Sequence, residues 1–434
     1  MKQSAEQLPP NYRWNFRAFA IDFVCFMMAM LFISSNSVLP AFVRELTDSA
    51  ILIGLAGTIF SGGWFLPQLA AARLVSDMPV KMPFIRRAVP GRGLFLIVAG
   101  ALWIGLAEHP TAMLIIFFAC LFLFAVSDGL VSVPWYDILA RTIPANRRGR
   151  LFGLSQTIQG IAGIGIGVII SRVLGSGDIA FPNNYIILFL AASALLIPSS
   201  FVLLLIKEPP PMHKDGHVKS SRQLNWRTIL RTDPDYRRFL VCRILFNMSF
   251  LAVPFFVGHA EDILSLPSSI LGAFVIAQTL SGVIASVVYG VISDRWGPRH
   301  VVRIATAAGF AAPCFALVAH LTQGTWTTQA YPFVYAILGI ANNAFMLGFG
   351  NYLLAISPEN ERPTYVGLCN TILGIMTIVP TLGGWLLEST SYTFLFCLAA
   401  ALGIAGFLIA LKLRDSSQLT TASPSEPVES TARA

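Results

Sequence analysis

The chain has 434 residues, 12% of them charged and 55% apolar, with a mean hydropathy of +0.68. Soluble domains carry roughly 25% charge, so these proportions exclude an ordinary water-soluble enzyme. The formal net charge of +8 is therefore a question about where basic residues fall along a membrane chain.

A helix needs about 20 mainly apolar residues to pass through the hydrocarbon core. Residues 1–17 lack a short apolar core followed by a small-residue cleavage site, so the first apolar run reads as a retained helix. In chain order the sequence predicts crossings near 17–43, 50–75, 91–107, 111–142, 150–174 and 184–206. A second set follows near 237–258, 268–292, 299–321, 329–356, 365–387 and 392–413. The hydrophilic stretch between the sets carries Pro209, Pro210 and Pro211 and reads as a linker.

The expected organisation is thus an N-terminal six-helix bundle at 1–206, a cytoplasmic linker at 207–236, a C-terminal bundle at 237–414 and a disordered tail at 415–434. With a cytoplasmic N-terminus, all Lys and Arg except Arg44, Arg172 and Arg243 lie in cytoplasmic segments or at their edges. That satisfies the positive-inside rule. It predicts a plasma or inner membrane protein with both termini cytoplasmic, and it accounts for the charge without a nucleic-acid partner.

An internal repeat appears at an offset of 214 residues. Pro144, Asn146, Arg148, Gly153, Leu154, Thr157, Ile158, Gly160 and Ile161 recur as Pro358, Asn360, Arg362, Gly367, Leu368, Thr371, Ile372, Gly374 and Ile375. The same offset carries Pro40, Phe42 and Val43 onto Pro254, Phe256 and Val257. Two similar bundles rocking about a site between them use such symmetry directly, whereas a single catalytic centre does not.

The segment 290–300, GVISDRWGPRH, resembles a loop signature of the major facilitator superfamily. Gly290, Asp294, Arg295, Gly297 and Arg299 carry the likeness. The first-half copy at 73–78, RLVSDM, keeps Asp77 but lacks the following glycine and basic residues. Helix count, the six-plus-six split and the repeat extend the resemblance over essentially the whole chain. It implies an all-α membrane protein of twelve helices in two pseudo-symmetric bundles, with a central cavity lined by the first, fourth, seventh and tenth. It also implies that Asp294 approaches Arg150, and Asp77 approaches Tyr365, as latches of the outward-facing state. Arg148 and Arg362, repeat partners near the starts of the fifth and eleventh helices, belong to the same gating set. The plainer reading of Asp294 and Arg295 is a solvated pair contributing little.

Charges inside apolar runs cost roughly 2.5 to 3.5 kcal/mol each on insertion scales, and so need a partner, a cavity or a function. Asp128, near the middle of the fourth helix, has Ser132 and Trp135 on roughly its own face and maps by the repeat onto Asn342. Burial disfavours the charged carboxylate, which makes Asp128 a candidate proton carrier; the alternatives are a ligand for a cationic substrate or a structural hydrogen bond. Arg243, with Asn247 one turn on, either binds an anionic substrate group, snorkels to the cytoplasm or pairs with a first-half carboxylate. Asp22 and Asn36 lie on a similar face of the first helix, Asp22 being shallow enough to meet interfacial water or an arginine. Asp137 reads as an ion pair with Arg141 at i+4. Tyr136, Gln278, Asn343 and Asn351 are weaker candidates for the cavity wall.

The glycines of the fifth helix favour close helix approach, and a PxxGG string at 380–384 lies on the eleventh helix, away from the position of the drug-antiporter motif. The six cysteines all fall in apolar runs without metal spacing and read as packing residues. No Gly-Lys dipeptide, HExxH or GxSxG occurs, so neither ATP hydrolysis nor another enzyme activity is expected, and no cofactor or metal. The expected function is secondary transport of a small-molecule substrate by a monomer, with a proton as coupling ion. A drug or metabolite exporter of the same fold and a non-transporting receptor or scaffold are the alternatives.

Overall fold

A computed structural model of the chain describes residues 9–76, 78–209, 226–324, 326–358 and 362–414. Among them all regular structure is helical. Eleven helical spans are long and apolar enough to cross a membrane. The remaining crossing, third in chain order, is built from pieces: Met82–Ala88, a 3-10 turn Val89–Gly93, and Leu94–Trp103. Pro90 supplies no N–H and Gly91 and Gly93 weaken the helical ladder, which is why no single stretch there reaches spanning length.

In the first half the other crossings are Tyr12–Phe32 with Val38–Arg44, Ala50–Ser76, Pro110–Thr142, Ala145–Gly175 and Asn183–Leu204. The seventh crossing runs from Pro234–Met248 through a 3-10 segment Ser249–Phe255 to a π turn His259–Ile263. Ile270–Trp296 and Pro298–Thr322 form the eighth and ninth. The tenth is Pro332–Ala344, a π turn Phe345–Gly350 and Asn351–Ile356. Arg362–Met376 with Val379–Ser389, and Tyr392–Leu411, complete the set.

Besides the third, four helices predicted as continuous are broken. In the first crossing Ser34, Ser35, Asn36 and Ser37 interrupt the helix, because hydroxyl and amide side chains compete for backbone groups; the Asn36 N–H donates to Ser34 Oγ at 3.4 Å. The break recurs at Ser249–Phe255 of the seventh crossing, around Pro254, the repeat partner of Pro40. The tenth crossing is interrupted by its π turn and the eleventh at Thr377 and Ile378. The predicted linker is partly helical: Trp226–Thr232 forms a short helix, and Asp233 caps the seventh crossing by accepting from the Tyr236 N–H at 2.8 Å. Residues 210–225 of that linker and the predicted tail, 415–434, lie outside the described residues.

The two halves meet along two seams, the fifth crossing against the eighth and the second against the eleventh. Gly272 packs on the backbone of Gly167, where a Cβ at Gly272 would fall 2.1 Å from the Gly167 carbonyl oxygen. A Cβ at Gly54 would fall 2.2 Å from the Pro380 oxygen, and one at Gly384 the same distance from that of Ala50. Only glycine permits these approaches. Farther along the same helices Gly153, Gly290 and Gly367 face open space.

The core follows the same asymmetry. Toward the end carrying Arg44, one apolar cluster joins both halves, with Phe42, Ile53 and Phe117 packed into the same core as Phe256, Val379 and Phe396. Toward the other end there are two separate clusters, one around Phe19, Trp135 and Leu203 and one around Tyr236, Tyr289 and Tyr352. Polar bonds reinforce closure at the Arg44 end. Arg44 pairs with Asp262 at 2.5 Å and Glu261 at 3.5 Å. Glu388 accepts from Ser49 Oγ at 2.7 Å and the Ile51 N–H at 3.0 Å, capping the second crossing from the opposite half. The halves therefore converge at the Arg44 end and separate toward the end that carries Arg147 and Arg150.

Candidate functional site

Between the halves lies a cavity with two lobes that share Ser35 and Asn36 at the break in the first crossing. The larger, about 540 Å³, is lined by Phe26, Trp64, Asp128, Gln156 and Gln159 of the first half and by Gln278, Thr279 and Asn343 of the second. The smaller, about 230 Å³, is lined chiefly by the second half, including Arg243, Asn247, Asn342 and Phe345.

Behind the wall of the larger lobe, Asp128, Arg92 and Asp22 form a buried charged group, of which Asp128 borders that lobe. Arg92 donates to Asp128 Oδ1 through Nε at 3.1 Å and Nη2 at 2.8 Å, and to Asp22 Oδ1 through Nη1 at 2.8 Å. Phe26 covers the guanidinium, 4.6 Å from its ring centre. Asp22 also accepts from Trp135 Nε1 at 2.8 Å and Ser199 Oγ at 2.6 Å. Asp128 Oδ2 accepts from Trp64 Nε1 at 3.1 Å. Two carboxylates thus share one guanidinium, so the ionised group carries a net negative charge in a low-dielectric site. Asp22 accepts from three side chains away from the larger lobe, whereas Asp128 lies on its wall.

The broken third crossing makes this group possible. Its 3-10 turn presses against the fourth crossing so tightly that a Cβ at Gly91 would sit 2.2 Å from Ser127 Oγ, and Arg92 is delivered beside Asp128. The sequence reading counted Arg92 simply among the basic residues at a cytoplasmic edge; the structure shows it 5% exposed, with Nε, Nη1 and Nη2 all engaged. Asp22 is likewise buried, 2% exposed, and of its predicted partners it is the arginine that it meets. Trp135 contributes through Asp22 and lies off the larger lobe; Ser132 borders only a small side pocket with it.

Arg243 is 2% exposed and has no carboxylate partner among the described residues. Its guanidinium carbon lies 4.1 Å from the ring centre of Phe349, 4.5 Å from Phe345 and 6.0 Å from Phe246. Neither a snorkelled position nor a pair with a first-half acid describes it. Asn247 Nδ2 donates to the Arg243 carbonyl at 2.8 Å. Asn342 borders the lobe of Arg243 and not that of Asp128, whose second-half neighbour is Asn343. Asn343 is held there by Ser286 Oγ, which donates to Oδ1 at 2.8 Å.

The gating residues lie at the open end. Asp294 and Arg295 are exposed near the end of the eighth crossing, and Gly297, at φ 84°, makes the turn into the ninth, a conformation that favours glycine. Arg150 is exposed, and no ion pair joins it to Asp294 among the described residues. Arg148 donates to the carbonyls of Ile143 at 2.9 Å and Ala140 at 2.8 Å, holding the end of the fourth crossing. Arg299 lies in the first turn of the ninth crossing. Asp77 and the Arg362 side chain fall outside the described residues. The Asp137–Arg141 pair is present at 2.9 Å, joined by Lys81 at 2.7 Å from Asp137.

Twelve crossings folded as two similar halves about a central cavity are the architecture on which alternating-access transporters are built. The chain belongs to the major facilitator superfamily: the profile of the family matches residues 21–266 and again 239–434. An uncharacterized protein of Mycobacterium tuberculosis is 22% identical over 261 residues, 58% of this chain and 49% of that protein. The chain spans about half the length of the curated relatives it matches. Among solved structures, a bacterial homologue of the iron transporter ferroportin in an inward-facing state superposes with a TM-score of 0.70 at 13% identity, over 96% of this chain and 100% of its own. A D-xylose–proton symporter gives 0.66 at 16% identity, over 92% and 98%. At these identities the likeness is one of fold.

Proposed function

We propose that the chain is a proton-coupled secondary transporter that moves a small solute by alternating access, with Asp128 as the group that takes up and releases the proton. The observation that carries this reading is the Asp22–Arg92–Asp128 group. It has one carboxylate more than it has cations, so a single proton neutralises it, and its cavity-side member is Asp128. Protonation there loosens the hold of Arg92 on the fourth crossing and gives the halves a reason to move.

The basic residues gathered at the Arg147 end support a cytoplasmic location for that end, and hence for the N-terminus. On that orientation the halves are closed on the external side and the cavity is reached from the cytoplasm. A monomer provides the complete cavity.

Reconstitution in liposomes tests the reading. A solute panel is assayed for accumulation under an imposed proton gradient and for exchange without one. Asp128→Asn is expected to retain exchange and lose gradient-driven accumulation. Binding without flux would mark a receptor, and gradient-driven accumulation with wild-type pH dependence in Asp128→Asn would remove the coupling role. Outward-directed movement down a proton antiport gradient would identify the exporter.

A further inference from the structure

We infer that the Arg243 lobe is an oxyanion subsite and that the transported solute is a small organic anion carrying a carboxylate or a phosphate. This inference rests on the transport reading for the word "transported", but the binding it asserts stands alone.

The argument begins with cost. A guanidinium keeps its charge at any physiological pH, and burying a charge without a partner is strongly unfavourable. Arg243 is 2% exposed, and its Nε and Nη1 have no hydrogen-bond partner among the described residues. Every lining residue of its lobe is neutral apart from itself. The other charged residue lining the two lobes, Asp128, is already engaged by Arg92 and belongs to the other lobe.

Its surroundings explain how the charge is tolerated and what it awaits. The π turn Phe345–Gly350 sets Phe345 and Phe349 against the guanidinium, and aromatic rings stabilise a cation through the ring quadrupole. The rings leave the in-plane N–H donors unsatisfied. Those donors form a planar fork that matches the two oxygens of a carboxylate or phosphate. A cationic solute is repelled here, and a neutral carbonyl satisfies donors without cancelling the charge. Asn342 and Asn247 line the same lobe, beside Ser35 and Asn36 of the opposite half, so an anion seated on Arg243 is within a cavity that both halves build.

Ligand-dependent thermal stabilisation of the purified protein tests this without requiring flux. The probes are inorganic phosphate, glycerol phosphate and a series of two- to six-carbon carboxylates, each organic acid paired with its neutral amide or alcohol. At least one anion should stabilise the wild-type protein while its neutral isostere does not. A carboxylate-only or phosphate-only response each supports the subsite and identifies its chemistry. Arg243→Gln should weaken that anion about 10- to 100-fold, the loss of a charge-assisted contact, and Arg243→Lys should fall between. Asn342→Asp, which adds a negative charge to the lobe, should weaken it as well and serves where Arg243→Gln does not fold. No stabilisation by any anion, equal stabilisation by the neutral isosteres, or unchanged anion affinity in these variants overturns the inference. Anion binding without flux would instead count against the transport reading and leave the subsite standing.

Discussion

Arg92 grips Asp128 with two donors on a single oxygen, Nε at 3.1 Å and Nη2 at 2.8 Å on Oδ1. With its third nitrogen on Asp22, this side chain ties the first, third and fourth crossings together. Arg92→Gln leaves two buried carboxylates without a counter-charge, and removal of one partner of a buried pair costs about 3–5 kcal/mol. A large drop in melting temperature in detergent is expected. Adding Asp22→Asn to that background should recover part of it, since one of the two stranded charges is then gone. A melting temperature equal to wild type in Arg92→Gln would contradict the assignment.

The same residue marks the limit of what the sequence discloses. Asp128, Asp22 and Arg243 stand out because charges interrupt apolar runs, and the structure buries all three. Arg92 does not stand out, because Pro90, Gly91 and Gly93 around it read as the end of a helix. Its place depends on contacts with Asp22 and Asp128, 70 and 36 positions away, which no local pattern encodes. A signal did exist: two intramembrane carboxylates in one half require a cation, and Arg92 borders the nearest run. The breaks at Ser34–Ser37 and in the tenth crossing were hidden for a related reason, since hydropathy is blind to hydrogen-bond competition and to π turns. The breaks nonetheless define the cavity, by exposing Ser35 and Asn36 and by bringing Phe345 and Phe349 to Arg243.

Close glycine contacts make closure of the Arg44 end sensitive to a single methyl group. A Cβ at Gly54 would lie 2.2 Å from the Pro380 oxygen, and overpacking costs about 1–3 kcal/mol. Because the conflict exists only while the second and eleventh crossings are apposed, Gly54→Ala should shift the population toward separation at that end. A cysteine at Ser35, in a background without reactive native cysteines, reports this through a membrane-impermeant thiol reagent added from the Arg44 side. Labelling should rise roughly tenfold, and Gly153→Ala, where a Cβ meets nothing within 4 Å, should leave it unchanged. Equal labelling in both variants would refute the account.

Charge reversal probes the ionic part of the same closure. Arg44 pairs across the halves with Asp262 and Glu261, and Asp262 is half exposed, so the pair itself contributes at most about 1 kcal/mol. Arg44→Glu does more than delete it, because three acidic groups then face one another. Labelling at Ser35→Cys from the Arg44 side should increase, more at low than at high ionic strength. Combining Arg44→Glu with Asp262→Arg should bring it back toward wild type. If the double reversal labels as readily as the single one, the cross-half pair is not what holds this end.

At the opposite end Asp294 and Arg150 are both exposed, and no ion pair joins them among the described residues. If the halves rock, the two must approach when the Arg44 end opens. A cysteine pair at Asp294 and Arg150 should therefore cross-link slowly in the wild-type background. In the Gly54→Ala background, which favours the other state, the yield should rise severalfold. Asp294→Asn should act in the reverse sense and reduce labelling at Ser35→Cys from the Arg44 side, because the carboxylate at a helix start in the other half is lost. Cross-linking that is equally fast in both backgrounds would mean that the two residues meet by loop motion alone, and the plainer reading of a solvated pair would then stand.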